Sequence, residues 1–196
     1  MLKRYLFLSL LFLALACNND KKDTNSEYIY RVVGVKDGDT MVLLSPDNIQ
    51  TTVRLAEVDC PEKSQAFGQA AKQYTSDLCF NKKVKLIGTQ QDRYGRTVGQ
   101  IELADGTNVN YALVKNGYAW QYRAYSKSME LAELELKARQ NRLGLWQDAN
   151  PTPPWDFRKE AKTQRTQNKA AKPSKAKKPK RHYRRKKEKY GDEVGV

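Results

Sequence analysis

The chain has 196 residues, of which 39% are hydrophobic and 30% charged, and its 36 Lys/Arg against 22 Asp/Glu give a net charge of +14. No apolar run reaches the roughly 20 residues of a membrane-spanning helix, which excludes an ordinary integral membrane protein. Three cysteines and one histidine are too few for a disulfide-dense miniprotein or a Cys/His zinc site.

Charge divides the chain unevenly. Residues 158–196 hold 16 bases and 4 acids, a net +12, whereas residues 1–157 hold 20 bases and 18 acids. At the start, Met1–Ala16 reads MLKRYLFLSLLFLALA. Lys3 and Arg4 precede an apolar stretch of signal-peptide length, with no amphipathic face of the kind a buried helix carries. Export is therefore expected. Ala14-Leu15-Ala16 fits the small-x-small pattern of signal peptidase, and Cys17 directly after it resembles the lipidated cysteine of bacterial lipoproteins. A membrane-anchored lipoprotein facing the periplasm or exterior is the preferred reading, with plain secretion as the alternative. Residues 18–26 then form a polar tether.

From Tyr28 the pattern becomes that of a β-rich domain covering residues 27–157. Tyr28–Val35 and Thr40–Leu44 are strands separated by the turn Asp37-Gly38-Asp39, and Gln50–Leu55 follows the turn Ser45-Pro46-Asp47-Asn48. Phe67–Phe80 has apolar residues at helical spacing. Lys83–Ile87 and Thr97–Leu103 are strands flanking Asp92-Arg93-Tyr94-Gly95-Arg96. Val109–Asn116 is a helix ended by Gly117, and Ser126 is the expected cap of a helix running to Arg142. Five short strands with a helix between the third and fourth predict an α+β, mainly β fold: an OB-type Greek-key barrel with about three helices.

After Pro151-Thr152-Pro153-Pro154, Trp155 and Phe157 are expected to pack back on the domain. Beyond Arg158 there is no Leu, Ile, Phe or Trp. Such a segment cannot bury enough apolar surface to offset its ordering entropy, so residues 158–196 are expected to be disordered. Their charge suits capture of a polyanion, either nucleic acid or an anionic surface.

Three charged clusters interrupt the barrel pattern: Asp37-Gly38-Asp39-Thr40, Arg54 through Glu62, and Asp92 through Arg96. Singly, each reads as a solvated turn. Together they supply the parts of phosphodiester hydrolysis. Carboxylates suit a hard cation such as calcium, Glu62 offers a base for water, and Arg54 and Arg96 offer forks for phosphate oxygens.

The motifs VKDGDT at 35–40, RLAEVDCPE at 54–62, FGQAAKQYTSDL at 67–78 and DRYGR at 92–96 resemble those of the staphylococcal nuclease family in order and spacing. The resemblance implies an OB-type barrel that hydrolyses DNA and RNA with Ca²⁺. No obligate protein partner is evident, so a monomer is expected. By position the resemblance makes Asp39 and Asp59 the calcium carboxylates and gives the metal the backbone carbonyl of Cys60. Glu62 becomes the general base, Arg54 the phosphate-binding arginine, and Arg96 the arginine at transition-state charge or the leaving group. Tyr122 and Tyr125 resemble the family's nucleotide-stacking pair at altered spacing. Asp37 is read as turn support. The rival readings are a non-catalytic nucleic-acid-binding OB module and a surface adhesion lipoprotein. Cys60 and Cys79 can be a disulfide in an oxidising compartment or free buried thiols, and the free thiol is the plainer reading for Cys79.

Overall fold

Strict alternation of buried and half-exposed residues along Thr97–Leu103 is what a strand with one face on a core requires. The same logic builds the wall around it. In a computed structural model of the chain, which describes residues 28–170, the strands are β1 Tyr30–Asp37, β2 Thr40–Leu44, β3 Gln50–Leu55, β4 Val58–Asp59, β5 Lys83–Gln91, β6 Thr97–Leu103 and β7 Trp120–Gln121. Five of them close a barrel in the order β1-β2-β3-β6-β5, sealed by β1 against β5 at Tyr30↔Val84 and Arg31↔Lys83. Only β3 and β6 run parallel within that ring. The expected five-stranded OB-type barrel is present, and Gln50–Leu55, Thr40–Leu44 and Thr97–Leu103 have the expected bounds.

Val32, Met41, Leu43, Val53, Val84 and Ile101 are fully buried in the core, joined by Ala71, Leu113 and Leu131 from the helices. Each large aliphatic side chain buried this way contributes about 1.5–3 kcal/mol. Outside the barrel, β4 pairs antiparallel with β7, setting Asp59 opposite Trp120. A two-residue pairing of this kind is not legible as a strand in the sequence.

Among the described residues, helices α1 Gly68–Cys79, α2 Val109–Lys115, α3 Met129–Gln140 and α4 Pro154–Ala170 number four, against about three expected. Asn108 caps α2 and Ser128 caps α3 by accepting the Leu131 N–H. The expected cap, Ser126, instead donates to Glu57 at 2.9 Å and accepts the Ser128 N–H at 3.2 Å. Helix α4 corrects the expectation of disorder for residues 158–170. Pro154 is its first residue, where a missing N–H costs nothing and a fixed φ favours the helix. By packing, the chain divides after Arg158, so α4 begins in the first unit and continues in a second. The expected signal segment, Cys17, the expected tether and residues 171–196 lie outside the described residues.

A smaller aromatic cluster forms around Trp120, Ala138, Leu145 and Trp146, with Trp155 packed against it as expected. Trp120 meets Trp146 edge-on at 4.4 Å and Trp155 at 5.7 Å. Cys60 and Cys79 are both buried and both free, so no bridge joins them.

Candidate active site

Arg54 sits between Val53 and Leu55, whose side chains are buried in the core, so strand alternation turns Arg54 to the other face. Directly after β3 the chain reverses through Ala56-Glu57. Glu57 adopts φ 65°, a conformation uncommon for a residue with a Cβ. Its carboxylate is held there by Gln100 and Ser126, and its carbonyl accepts the Tyr122 N–H. This corner returns Asp59 to face Arg54 five residues later.

Two glycines bring the other loops in. A Cβ on Gly38 would lie 2.9 Å from Ala71 Cβ and from Cys60 Cβ and Sγ, so only glycine lets the β1–β2 turn press against α1 and the loop after β4. A Cβ on Gly68 would lie 1.9 Å from the carbonyl oxygen of Glu62. Helix α1 can therefore start against the Glu62 backbone only with glycine there.

The result is a chain of charge. Arg54 forms an ion pair with Asp39 Oδ2 at 2.8 Å and donates to Asp59 Oδ1 at 2.8 Å. It also donates to the carbonyls of Leu55 at 3.2 Å and Val58 at 3.1 Å. Asp39 further accepts the Cys60 N–H at 2.9 Å and the Thr40 hydroxyl at 3.1 Å. Asp59 is only 1% exposed, and its other oxygen, Oδ2, accepts Arg158 Nη2 at 2.7 Å. The same guanidinium donates through Nη1 to Glu62 Oε1 at 2.7 Å and to Asp59 Oδ1 at 3.2 Å. Glu62 itself is half-buried, with its backbone N–H fixed by Gln65.

Arg96 approaches from the β5–β6 turn. Asp92 accepts the N–H groups of Tyr94 and Arg96 through one oxygen, while the other binds Arg96 Nε at 2.7 Å. A cleft of about 590 Å³ is lined by Asp39, Arg54, Asp59, Cys60, Glu62, Arg96, Tyr122, Tyr125 and Arg158. Every site residue expected in the domain therefore reaches one cavity. Asp37 lines it too. Tyr122 stacks on Trp155 with ring centroids 5.5 Å apart and planes within 2°, and the largely exposed Tyr125 lies 4.8 Å from Tyr122.

Sequence reasoning misses two of these groups. By composition Arg158 belongs to the basic tail, and Trp155 reads only as a packing residue. The one sequence signal is Pro154 as a helix start, which places Arg158 about one turn into α4.

The electrostatics follow from burial and proximity. Burial raises the Asp59 pKa above the usual carboxylate value, against the opposing pull of Arg158 and Arg54. Burial alone would lower the Arg54 pKa, but Asp39 and Asp59 outweigh it and hold the guanidinium higher. Arg158 is likewise raised, because its bonds to Asp59 and Glu62 overcome desolvation. Burial, reinforced by Asp39, pushes the Cys60 thiol well up. Desolvation opposes but does not prevent a lowered Asp92 pKa, which the Arg96 hydrogen bonds produce.

No group of three or more His, Cys, Asp and Glu side chains forms a metal centre among the described residues. The donor set that does converge is two carboxylates, Asp39 and Asp59, both bonded to the one Arg54 guanidinium, with the Cys60 backbone beside Asp39. Hard oxygen donors completed by water are what Ca²⁺ accepts, so these residues fit it. They offer no soft or imidazole ligand.

Comparison with known proteins agrees with this geometry. The family model described as "Staphylococcal nuclease homologue" matches residues 52–148. An uncharacterized endonuclease of Haemophilus influenzae is 40% identical over 155 residues, covering 79% of this chain and 84% of that protein. A micrococcal nuclease of Shigella flexneri is 42% identical over 67% of this chain and 80% of its own length. A staphylococcal-like nuclease of Arabidopsis thaliana is 41% identical over 55% of this chain, but over only 33% of its own. With the barrel, the four motifs and these relatives in agreement, the chain belongs to the staphylococcal nuclease family.

Proposed function

We propose that the protein is a Ca²⁺-dependent nuclease that hydrolyses phosphodiester bonds in DNA and RNA. The observation that carries this reading is the convergence of Asp39, Asp59, Glu62, Arg54 and Arg96 on one cleft. The nuclease names of its relatives support it.

In this reading Asp39, Asp59 and the Cys60 carbonyl hold the cation. When bound, the cation supplies positive charge against the phosphate and helps a water to ionise. Glu62 takes the proton from the attacking water, since it is the carboxylate of the cluster that remains half-open to solvent. Arg54, fixed by two carbonyls and two carboxylates before substrate arrives, presents its positive charge without reorganisation. Arg96, held in its turn by Asp92, faces charge on the phosphate or the departing oxygen. Tyr125 offers an exposed face on which a base stacks, worth about 1–3 kcal/mol. Export by the leader, with a lipid on Cys17, completes the reading. A Cys17→Ser variant is then expected in the soluble extracytoplasmic fraction, and wild type in the detergent phase.

The deciding assay digests supercoiled plasmid and RNA with purified protein in Ca²⁺, in Mg²⁺ and in chelator. Cleavage with Ca²⁺ that chelator abolishes is the expected result. Digestion unchanged by chelator would overturn the metal role. Nucleic-acid binding without any cleavage would favour the non-catalytic OB module.

A further inference from the structure

Arg158 stands apart from the other arginines of the cleft. It arrives on a helix rather than on a barrel strand or turn, its side chain is 41% exposed, and its guanidinium bridges two carboxylates at once. Nη2 binds Asp59 Oδ2 at 2.7 Å and Nη1 binds Glu62 Oε1 at 2.7 Å. Arg54 takes Asp59 Oδ1 at 2.8 Å, and Arg158 Nη1 lies 3.2 Å from that same oxygen. A carboxylate has about four lone-pair sites, so hydrogen bonds from two guanidiniums occupy most of Asp59. In charge, Asp39, Asp59 and Glu62 offer three negatives, and Arg54 and Arg158 already answer two of them. Arg96 is committed to Asp92.

We propose that Arg158 is an internal counter-cation, pairing with Asp59 and Glu62 in competition with a divalent metal and so setting the metal affinity of the site. This rests on the metal reading above. Of the two arginines on Asp59, only Arg158 can yield: Arg54 is also tied to the carbonyls of Leu55 and Val58, whereas Arg158 lies on the solvent side with the two carboxylates as its acceptors. A unit positive charge within hydrogen-bonding distance of the metal carboxylates repels an incoming dication, and does so strongly at a half-buried site. Removing it therefore strengthens metal binding, although it also removes a group that orders Asp59 and Glu62.

The test is calorimetric titration of Ca²⁺ into the metal-free full chain, without nucleic acid, at low ionic strength. Arg158→Gln removes the charge and keeps a donor, so its Kd for Ca²⁺ is expected to fall at least about tenfold, while Arg158→Lys keeps the charge and stays within about threefold of wild type. An unchanged or weaker Kd in Arg158→Gln, with its melting temperature and far-UV circular dichroism intact, would overturn the proposal and make Arg158 an organiser of the carboxylates. A variant-free measurement guards against misfolding. Hydrogen exchange of the Asp156 and Phe157 amides, which close the first turn of α4 on Pro153, is expected to quicken when Ca²⁺ is added to wild type. Greater protection on adding Ca²⁺ would also refute competition. If wild type and Arg158→Gln both fail to bind Ca²⁺, or if Asp39→Asn leaves binding untouched, the metal assignment itself fails and takes this inference with it.

Discussion

The two sides of the carboxylate cluster are built differently. On the barrel side, Arg54 is locked by strand register, two carbonyls and two buried aspartates. On the helix side, Arg158 is held by two carboxylates at the start of α4, and Glu62 stands half-open. Both arginines bind the same Asp59, yet only one is built into the barrel's own neutralisation of buried charge. The difference teaches where rigidity and adjustability belong in such a site. In the proposed reading, the arginine that meets the phosphate in one geometry sits on the barrel. The groups that exchange protons or partners then sit at its open edge.

The largest effect that would sharpen this contrast is expected from Glu62→Gln. It keeps the shape but removes the base, so kcat should fall about 10²–10⁴-fold while substrate Kd and melting temperature barely move. Comparable losses in kcat and in binding would instead place Glu62 in substrate recognition. Next comes Arg54→Ala, which strips the partner from two buried aspartates. Breaking such a pair costs about 3–5 kcal/mol of stability, read as a shifted urea midpoint, alongside lost activity. Arg158→Ala is exposed enough to cost only about 0.2–1 kcal/mol in the same melt. Equal destabilisation by the two would erase the distinction between fixed and adjustable arginines.

A smaller effect is expected from the basic segment. Because Arg158 belongs to the cleft, a truncation that tests the tail must begin beyond α4. Residues 171–196 contain 11 Lys/Arg and 3 Asp/Glu. Ending the chain at Ala170 should weaken binding to long DNA at low salt. It should also flatten the slope of log K against log salt, by roughly 0.9 for each phosphate that the segment neutralises. Turnover on a dinucleotide should hardly change. Identical salt slopes for the two chains would assign the segment to something other than nucleic acid.

The effect with least bearing on activity concerns the thiols. Burial holds the Cys79 pKa up at about 12, above its ordinary 9.0. The folded state keeps the proton that the unfolded chain releases, so this contribution to stability is complete below pH 9 and is lost as pH rises toward 12. At its steepest the fall is roughly 1.4 kcal/mol per pH unit, and Cys79→Ala should flatten it in alkaline melts. In a Cys17→Ser background, a thiol reagent at pH 8 should modify Cys60 and Cys79 only after denaturation. Rapid labelling of Cys60 in the native protein would show the loop after β4 to be open.

Much of the site is legible because its residues lie in short motifs at fixed offsets. Asp39 ends a tight turn, Arg54 and Asp59 flank one corner, and Arg96 closes a turn that Asp92 nucleates through local hydrogen bonds. Local geometry of that kind is written in a handful of consecutive residues. The family resemblance implies a base-stacking role for Tyr122, and its ring does lie in the cleft, but one face is covered by Trp155. That contact joins residues 33 positions apart, and nothing at either end announces it. Ser126 reads as a cap because a serine ahead of a helical stretch has the right chemistry, and only the distance to Glu57 reveals its actual partner.

By itself the sequence determined the five-stranded barrel, since alternation of apolar residues and the turns between them are local properties that only one closed arrangement buries well. It also named most of the charged residues that line the cleft, because they stand in short motifs whose spacings are set by single turns and strands. What only the tertiary structure decided is the identity of Arg158. Sixteen bases crowd the last 39 residues, and composition treats them alike. One is distinguished because Pro154 starts a helix, Trp155 packs against the aromatic cluster, and the first turn carries that guanidinium to a buried carboxylate 99 residues away. Long-range pairing of charge depends on where the backbone returns, which no local pattern encodes.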